Sequence, residues 1–114
     1  YKMGIITNLR RDLDELCHHV GLKSYLDFAV GSQEVGIEKP HPQIFQAALD
    51  QVNAAPEEWL HVGDQVRSDV LGARGVGMNA VLIDRSGFAS NGADCRTISS
   101  LSELGDLVEG LAQA

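Results

Sequence analysis

Two acids close together, Asp64 and Asp69, stand out in the stretch Leu60-His61-Val62-Gly63-Asp64-Gln65-Val66-Arg67-Ser68-Asp69. The apolar run before them reads as a buried strand, Gly63 as a sharp turn, and the residues after as the opening of a helix. In an open α/β sheet, ligands bind outside the carboxyl ends of the strands, where Asp64 falls. Carboxylates this close repel unless a cation sits beside them. Mg²⁺ suits the pair, because it prefers oxygen ligands and keeps several waters. A plainer reading stands beside this one: Asp64 as a turn residue capping the helix, and Asp69 as an exposed helical acid.

Two further strand ends carry polar groups. Thr7-Asn8 follows the apolar run from Met3 to Ile6. A hydroxyl and backbone N–H groups there could bind an anionic oxygen, or Thr7 could simply cap the next helix. The second is Glu38-Lys39-Pro40-His41-Pro42. Pro40 biases Lys39 toward extended backbone, and Pro42 pre-sets the first turn of a helix. A lysine held this way could balance a phosphate, although most lysines are solvated surface residues. The four histidines form no zinc spacing, and His61 reads as a hydrogen-bonded core residue. Gly72, Gly75 and Gly77 do not form a dinucleotide fingerprint, and neither Ser86 nor Ser90 sits in a nucleophile elbow.

The elements that must position these groups alternate. Strands are expected over Met3–Ile6, Asp27–Val30, Trp59–Val62 and Asn79–Ile83. A helix carrying Leu13, Leu16, Cys17 and Val20 stops at Gly21, and another runs from Pro42 to Val52 with Ile44, Phe45, Ala48, Leu49 and Val52 on one face. Gly31 to Pro42 reads as a long loop. A third helix spans Ser68 to Val76, and Arg85 to Asp94 is again a loop. A last helix, Ser100 to Leu111, buries Leu101, Leu104, Leu107, Val108 and Leu111, with its cap among Ser99, Ser100 and Ser102. Trp59 reads as a core aromatic. Short strands alternating with amphipathic helices indicate βαβ units. The expected class is therefore α/β: a Rossmann-like, doubly wound parallel sheet with helices on both faces.

Composition narrows the partners. The chain has 114 residues, enough for one domain, with 44% hydrophobic and 22% charged residues. Its net charge of -7 argues against a nucleic-acid partner, and no apolar run is long enough for a membrane span. Cys17 and Cys95 lie far apart, which reads most simply as reduced thiols and a cytoplasmic location, with a disulfide between them as the open alternative. The opening Tyr1-Lys2-Met3-Gly4-Ile5-Ile6 enters a strand almost at once, as an excerpt of a longer polypeptide would.

A strand ending in Thr, a Lys-Pro turn before a helix, and Gly-Asp followed by a second Asp occur here in a fixed order. That pattern resembles the haloacid dehalogenase-like (HAD) hydrolase superfamily. Gly4-Ile5-Ile6-Thr7-Asn8 matches its second motif, Glu38-Lys39-Pro40-His41-Pro42 its third, and Val62-Gly63-Asp64 through Asp69 its fourth. Gly72-Ala73-Arg74-Gly75-Val76-Gly77-Met78 is similar to the helix that follows. The resemblance implies that Thr7 and Asn8 bind a phosphoryl oxygen. Lys39 would offset charge on nucleophile and substrate. Asp64 would hold Mg²⁺, with Asp69 as a more distant or water-mediated ligand. Such groups fit phosphoryl transfer, where positioning and charge stabilisation do most of the work.

The family's first motif, an Asp-x-Asp pair supplying nucleophile and general acid, has no match; Asp12 and Asp14 lie on a helix. Residues 1–114 therefore resemble the C-terminal portion of a HAD core domain, with motifs II, III and IV but without the central first strand or the cap. The missing N-terminal part would be a partner from the same polypeptide. The function implied is part of a Mg²⁺-dependent phosphohydrolase acting on a small phosphorylated metabolite through an aspartyl-phosphate, this segment alone being inactive. Three alternatives stay open. One is metal-free haloacid dehalogenation. Another is a truncated, non-catalytic chain that binds a partner through open sheet edges. The last is a response-regulator-like acceptor domain, which lacks its expected acidic pair here.

Overall fold

A computed structural model describes residues 2–8, 15, 18–19, 21, 26–85 and 95–113. The chain divides into two units, Tyr1–Ala55 and Pro56–Ala114, and each is described by itself. The expected helix face of Leu13, Leu16, Cys17 and Val20 lies outside the described residues, as does most of the loop from Arg85 to Asp94. The proposed helix stop is described. Gly21 has φ 79°, and its N–H donates to the His18 carbonyl at 3.2 Å, as at a left-handed helix terminus.

In the first unit, β1 (Gly4–Thr7) and β2 (Phe28–Gly31) pair in parallel, with Gly4 opposite Phe28 and Thr7 opposite Gly31. Asp27 ties off the start of the ladder: its carboxylate accepts from Met3 N, and its own N–H donates to the Met3 carbonyl, both at 2.6 Å. Both strands run one residue past the ends expected from sequence. The long loop expected after β2 contains one helical turn, α1 (Ser32–Val35), closed by the Gly36 N–H on the Ser32 carbonyl. A single turn is too short to show a hydrophobic period.

Helix α2 (Pro42–Val52) has the bounds expected. Pro42 opens it, since its missing N–H would have had no helical partner. The cap is His41, whose ring Nδ1 accepts from Gln43 N at 3.1 Å. The helix ends at Asn53 in left-handed conformation. Its apolar stripe of Ile44, Phe45, Ala48 and Leu49 is buried, and the helix packs against β2 and β1.

The second unit is a three-stranded parallel sheet in the order β3-β4-β5. β3 is Leu60–Gly63, β4 is Asn79–Ile83 and β5 is Arg96–Ile98. Strand β5 was not expected from sequence. It has three residues and one buried apolar side chain, Ile98, so it carries no alternating signal. The Asp84 N–H extends its ladder to the Ile98 carbonyl at 2.8 Å. β4 is buried through Val81, Leu82 and Ile83. Trp59 is half-buried at the approach to β3 rather than a core residue.

Two helices of this unit depart from expectation. The one after β3 starts at Val66, not Ser68. It begins as a wide π-helical turn, Val66–Leu71, and continues as α3 (Gly72–Gly75). The last helix begins with a 3₁₀ turn at Leu101–Glu103 and becomes α4 (Leu104–Gln113). Leu101 was expected on its buried side, but it lies in the 3₁₀ turn and is 53% exposed. Leu104, Leu107 and Val108 are half-buried, with Leu107 packed on the cluster of Val81, Ile83 and Ile98. The side chain of Leu111 lies outside the described residues. Capping falls where expected, at Ser100. Its hydroxyl accepts from Ser102 N at 3.2 Å, and the Glu103 carboxylate reaches back to Ser99 N and Ser100 N. Among the described residues, no helix is long and apolar enough to cross a membrane. Parallel strands with helices packed on them make this a Rossmann-like α/β fold, as expected.

Candidate functional site

Thr7 is the last residue of β1 and is half-buried at the carboxyl end of the strand. Asn8 follows it and makes the contact that organises this end of the first unit. Its Oδ1 accepts from Lys39 N at 2.7 Å, and its Nδ2 donates to the Lys39 carbonyl at 3.3 Å. One amide thus grips both backbone groups of a residue 31 positions away. The structure thereby brings the Thr7-Asn8 strand end and the Lys39 loop together. Lys39 is half-buried, and the Lys39–Pro40 peptide bond is cis. With Pro42 and His41 opening α2 immediately afterwards, the backbone on both sides of Lys39 is defined.

In the second unit, the acids divide sharply. Asp64 leaves the end of β3 and is exposed; the helical turn that follows is capped by Gln65, not by Asp64. Asp69 is buried, 4% exposed, and is not the solvent-facing helical acid of the plainer reading. It lies within the π-helical turn, where the N–H groups of Asp69 and Val70 both donate to the Gln65 carbonyl, at 2.9 and 3.4 Å.

Gln65, His61 and Gly63 are among the residues that receive that carboxylate. Asp69 Oδ2 accepts from Gln65 N at 3.2 Å. Asp69 Oδ1 lies 3.1 Å from Nε2 of His61, itself buried within β3. The carboxylate also rests on the Gly63 backbone, where a Cβ would collide with Asp69 Cγ and Oδ2. Gly63 is therefore required by close approach. The residues that receive Asp69, Gly63 and Gln65, flank Asp64 on either side, so the buried acid is seated within the loop that presents the exposed one.

Among the described residues, no three His, Cys, Asp or Glu side chains converge on one point. That does not conflict with Mg²⁺, which is held by one or two carboxylates while waters and substrate complete the shell. An all-oxygen pair, one acid exposed and one buried and hydrogen-bonded, fits such an ion.

Sequence reasoning placed His61 in the core, and it is there, but did not see its bond to Asp69. The available signal was a lone imidazole in an otherwise apolar strand, which must find a polar partner when buried. Gln65 contributes through its backbone, the N–H to the Asp69 carboxylate and the carbonyl to the helical turn, which no side-chain motif reveals.

The haloacid dehalogenase-like hydrolase family model matches residues 1–83. The rhythmically expressed gene 2 protein of Drosophila melanogaster is 42% identical over 91 residues, covering 77% of this chain and 35% of that protein. The glyceraldehyde 3-phosphate phosphatase of Methanothermobacter thermautotrophicus is 33% identical over 116 residues, covering 95% and 51%. The haloacid dehalogenase-like hydrolase domain-containing protein 3 of Homo sapiens is 37% identical over 82 residues, covering 72% and 33%. Among solved structures, a HAD phosphatase from Thermococcus onnurineus superposes with a TM-score of 0.88 at 34% identity, over 96% of this chain and 51% of that one. A 2-haloacid dehalogenase from Pseudomonas syringae gives 0.87 at 30%, over 96% and 47%. The chain thus spans a third to a half of the length of these relatives.

Proposed function

This chain belongs to the haloacid dehalogenase-like hydrolase family, and from that premise we propose that it forms part of a cytoplasmic, Mg²⁺-dependent phosphohydrolase acting on a small phosphorylated metabolite. The observation that carries the reading is the seating of the Asp69 carboxylate within the Asp64 loop, at the carboxyl end of a parallel strand. Asp64 and Asp69 would hold the ion. When bound, Mg²⁺ supplies positive charge against the phosphoryl oxygens.

In this reading the Thr7 hydroxyl and the backbone N–H of Asn8 bind a phosphoryl oxygen. The Asn8 side chain serves through Lys39, whose backbone it grips. The Lys39 ammonium offsets negative charge that gathers on the phosphoryl group and on the attacking carboxylate. The covalent step would be attack of an Asp carboxylate on phosphorus as the P–O bond to the substrate breaks, the leaving oxygen taking a proton from a general acid and water later hydrolysing the aspartyl-phosphate; both acids would belong to the family's first motif, which has no match in these 114 residues. This segment alone is therefore expected to show no turnover.

The test is hydrolysis of small phosphate monoesters by the intact protein, with and without Mg²⁺. Activity that needs added Mg²⁺ and falls by orders of magnitude in Asp64→Asn supports the proposal. Metal-independent release of halide from 2-haloacids, with no phosphatase activity, would replace it with the dehalogenase reading.

A further inference from the structure

We propose that His61 is a positioning residue for the metal site: from within β3 it holds the Asp69 carboxylate and, through it, the loop that presents Asp64. The inference rests on the phosphohydrolase reading above, and it assigns a role to a residue outside the family's motif acids. An ionised carboxylate only accepts hydrogen bonds, so the ring nitrogen facing it carries the proton. His61 Nε2–H is then the donor to Asp69 Oδ1 at 3.1 Å.

The geometry makes this bond matter for Asp64. Asp69 Oδ2 takes the Gln65 N–H, and the carboxylate packs on Gly63. Those two residues bracket Asp64 in the chain. The acid therefore bridges a rigid strand, through His61, to the turn that carries the exposed acid. Strand β3 is in register with β4 from Leu60 to Gly63, so His61 itself has little freedom. Without its donor, Asp69 would lose its tie to β3 while keeping the Gln65 N–H within the turn, and the strand would no longer fix the orientation of the acid beside Asp64. Groups that orient metal ligands in this way are known to matter nearly as much as the ligands themselves.

The test is Mn²⁺ affinity of the intact protein, followed by electron paramagnetic resonance, in which the free aqueous ion is counted directly. Mn²⁺ serves as the probe because it takes the same oxygen ligands as Mg²⁺. His61→Gln places an amide N–H near the position of Nε2 and is expected to bind like the parent. His61→Phe keeps the ring but removes the donor, and is expected to weaken binding about ten- to a hundredfold. His61→Asn, whose amide is too short to reach Asp69, gives the same contrast if the Phe variant does not fold. A role confined to core packing would lower thermal stability in all three without separating Gln from the others in Mn²⁺ affinity.

Equal affinity in the Gln, Asn and Phe variants overturns the inference while leaving the phosphohydrolase reading intact. If Mn²⁺ binding is unaffected by Asp64→Asn, the metal site itself is misplaced and both fall. Retained affinity in Gln with loss in Phe or Asn is the outcome the geometry calls for.

Discussion

Asn8 and Asp69 each spend a side chain on backbone, and in both cases the beneficiary is a neighbouring candidate for chemistry. Asn8→Ala removes two neutral hydrogen bonds to Lys39, so a loss of about 1–3 kcal/mol is expected in denaturant unfolding of the intact protein. Phosphatase turnover should drop in the same variant, because the Lys39 loop is no longer tied to the Thr7 strand end. Gly63→Ala should destabilise by about 1–3 kcal/mol, since the added methyl cannot share its space with the Asp69 carboxylate. At this scale the residues were legible as candidates only: Thr7, Lys39, Asp64 and Asp69 were singled out by their places at strand ends and turns and by the family resemblance. What they touch was not. The Asn8–Lys39 grip joins residues far apart in sequence, and the His61–Asp69 bond crosses a strand, a turn and a wide helical turn. Neither has a local pattern.

Elements with a strong period were read well, and short ones were not. Helix α2 shows its apolar stripe over three turns and begins at a proline, so both its face and its bounds could be read. Phe45 on that stripe is fully buried, and Phe45→Ala is expected to cost about 3–5 kcal/mol in unfolding free energy. By contrast α1 and β5 are single-turn and three-residue elements, stabilised by neighbours in space rather than by any repeat of their own. The 3₁₀ turn before α4 shows a pH dependence that can be worked out in sign. The Ser99 backbone N–H, the Ser99 hydroxyl and the Ser100 N–H hold the Glu103 carboxyl below its ordinary value. A carboxyl lowered in the folded state stabilises above its unfolded value, and that stabilisation is lost as pH falls through the lowered value. The protection of the Ser99 and Ser100 amides, read as exchange rates corrected for their intrinsic dependence on pH, should therefore fall on acidification. Glu103→Gln, which cannot ionise, should flatten that dependence.

For the molecule as a whole, α/β class and parallel pairing were legible because every crossover needs a helix or long loop between strands. The division into two separate ladders was legible only through the family resemblance, which expects a further strand. Among the described residues, β3 stands at the edge of its own sheet, and β1 has β2 as its ladder partner. Edges of this kind invite pairing with other chains. Residues 1–114 prepared alone are thus expected to self-associate, and light scattering would check it. A monodisperse monomer would show the edges to be covered. The ladders carry one more consequence, for the order in which the chain folds. β4 pairs on both sides, and the segments joining Leu60 to Asn79 and Val81 to Arg96 are shorter than the one joining Gly4 to Phe28. Closing shorter loops costs less entropy, so β4 is the natural nucleus. Truncating Leu82 should slow refolding, whereas truncating Val30 in β2 should mainly hasten unfolding.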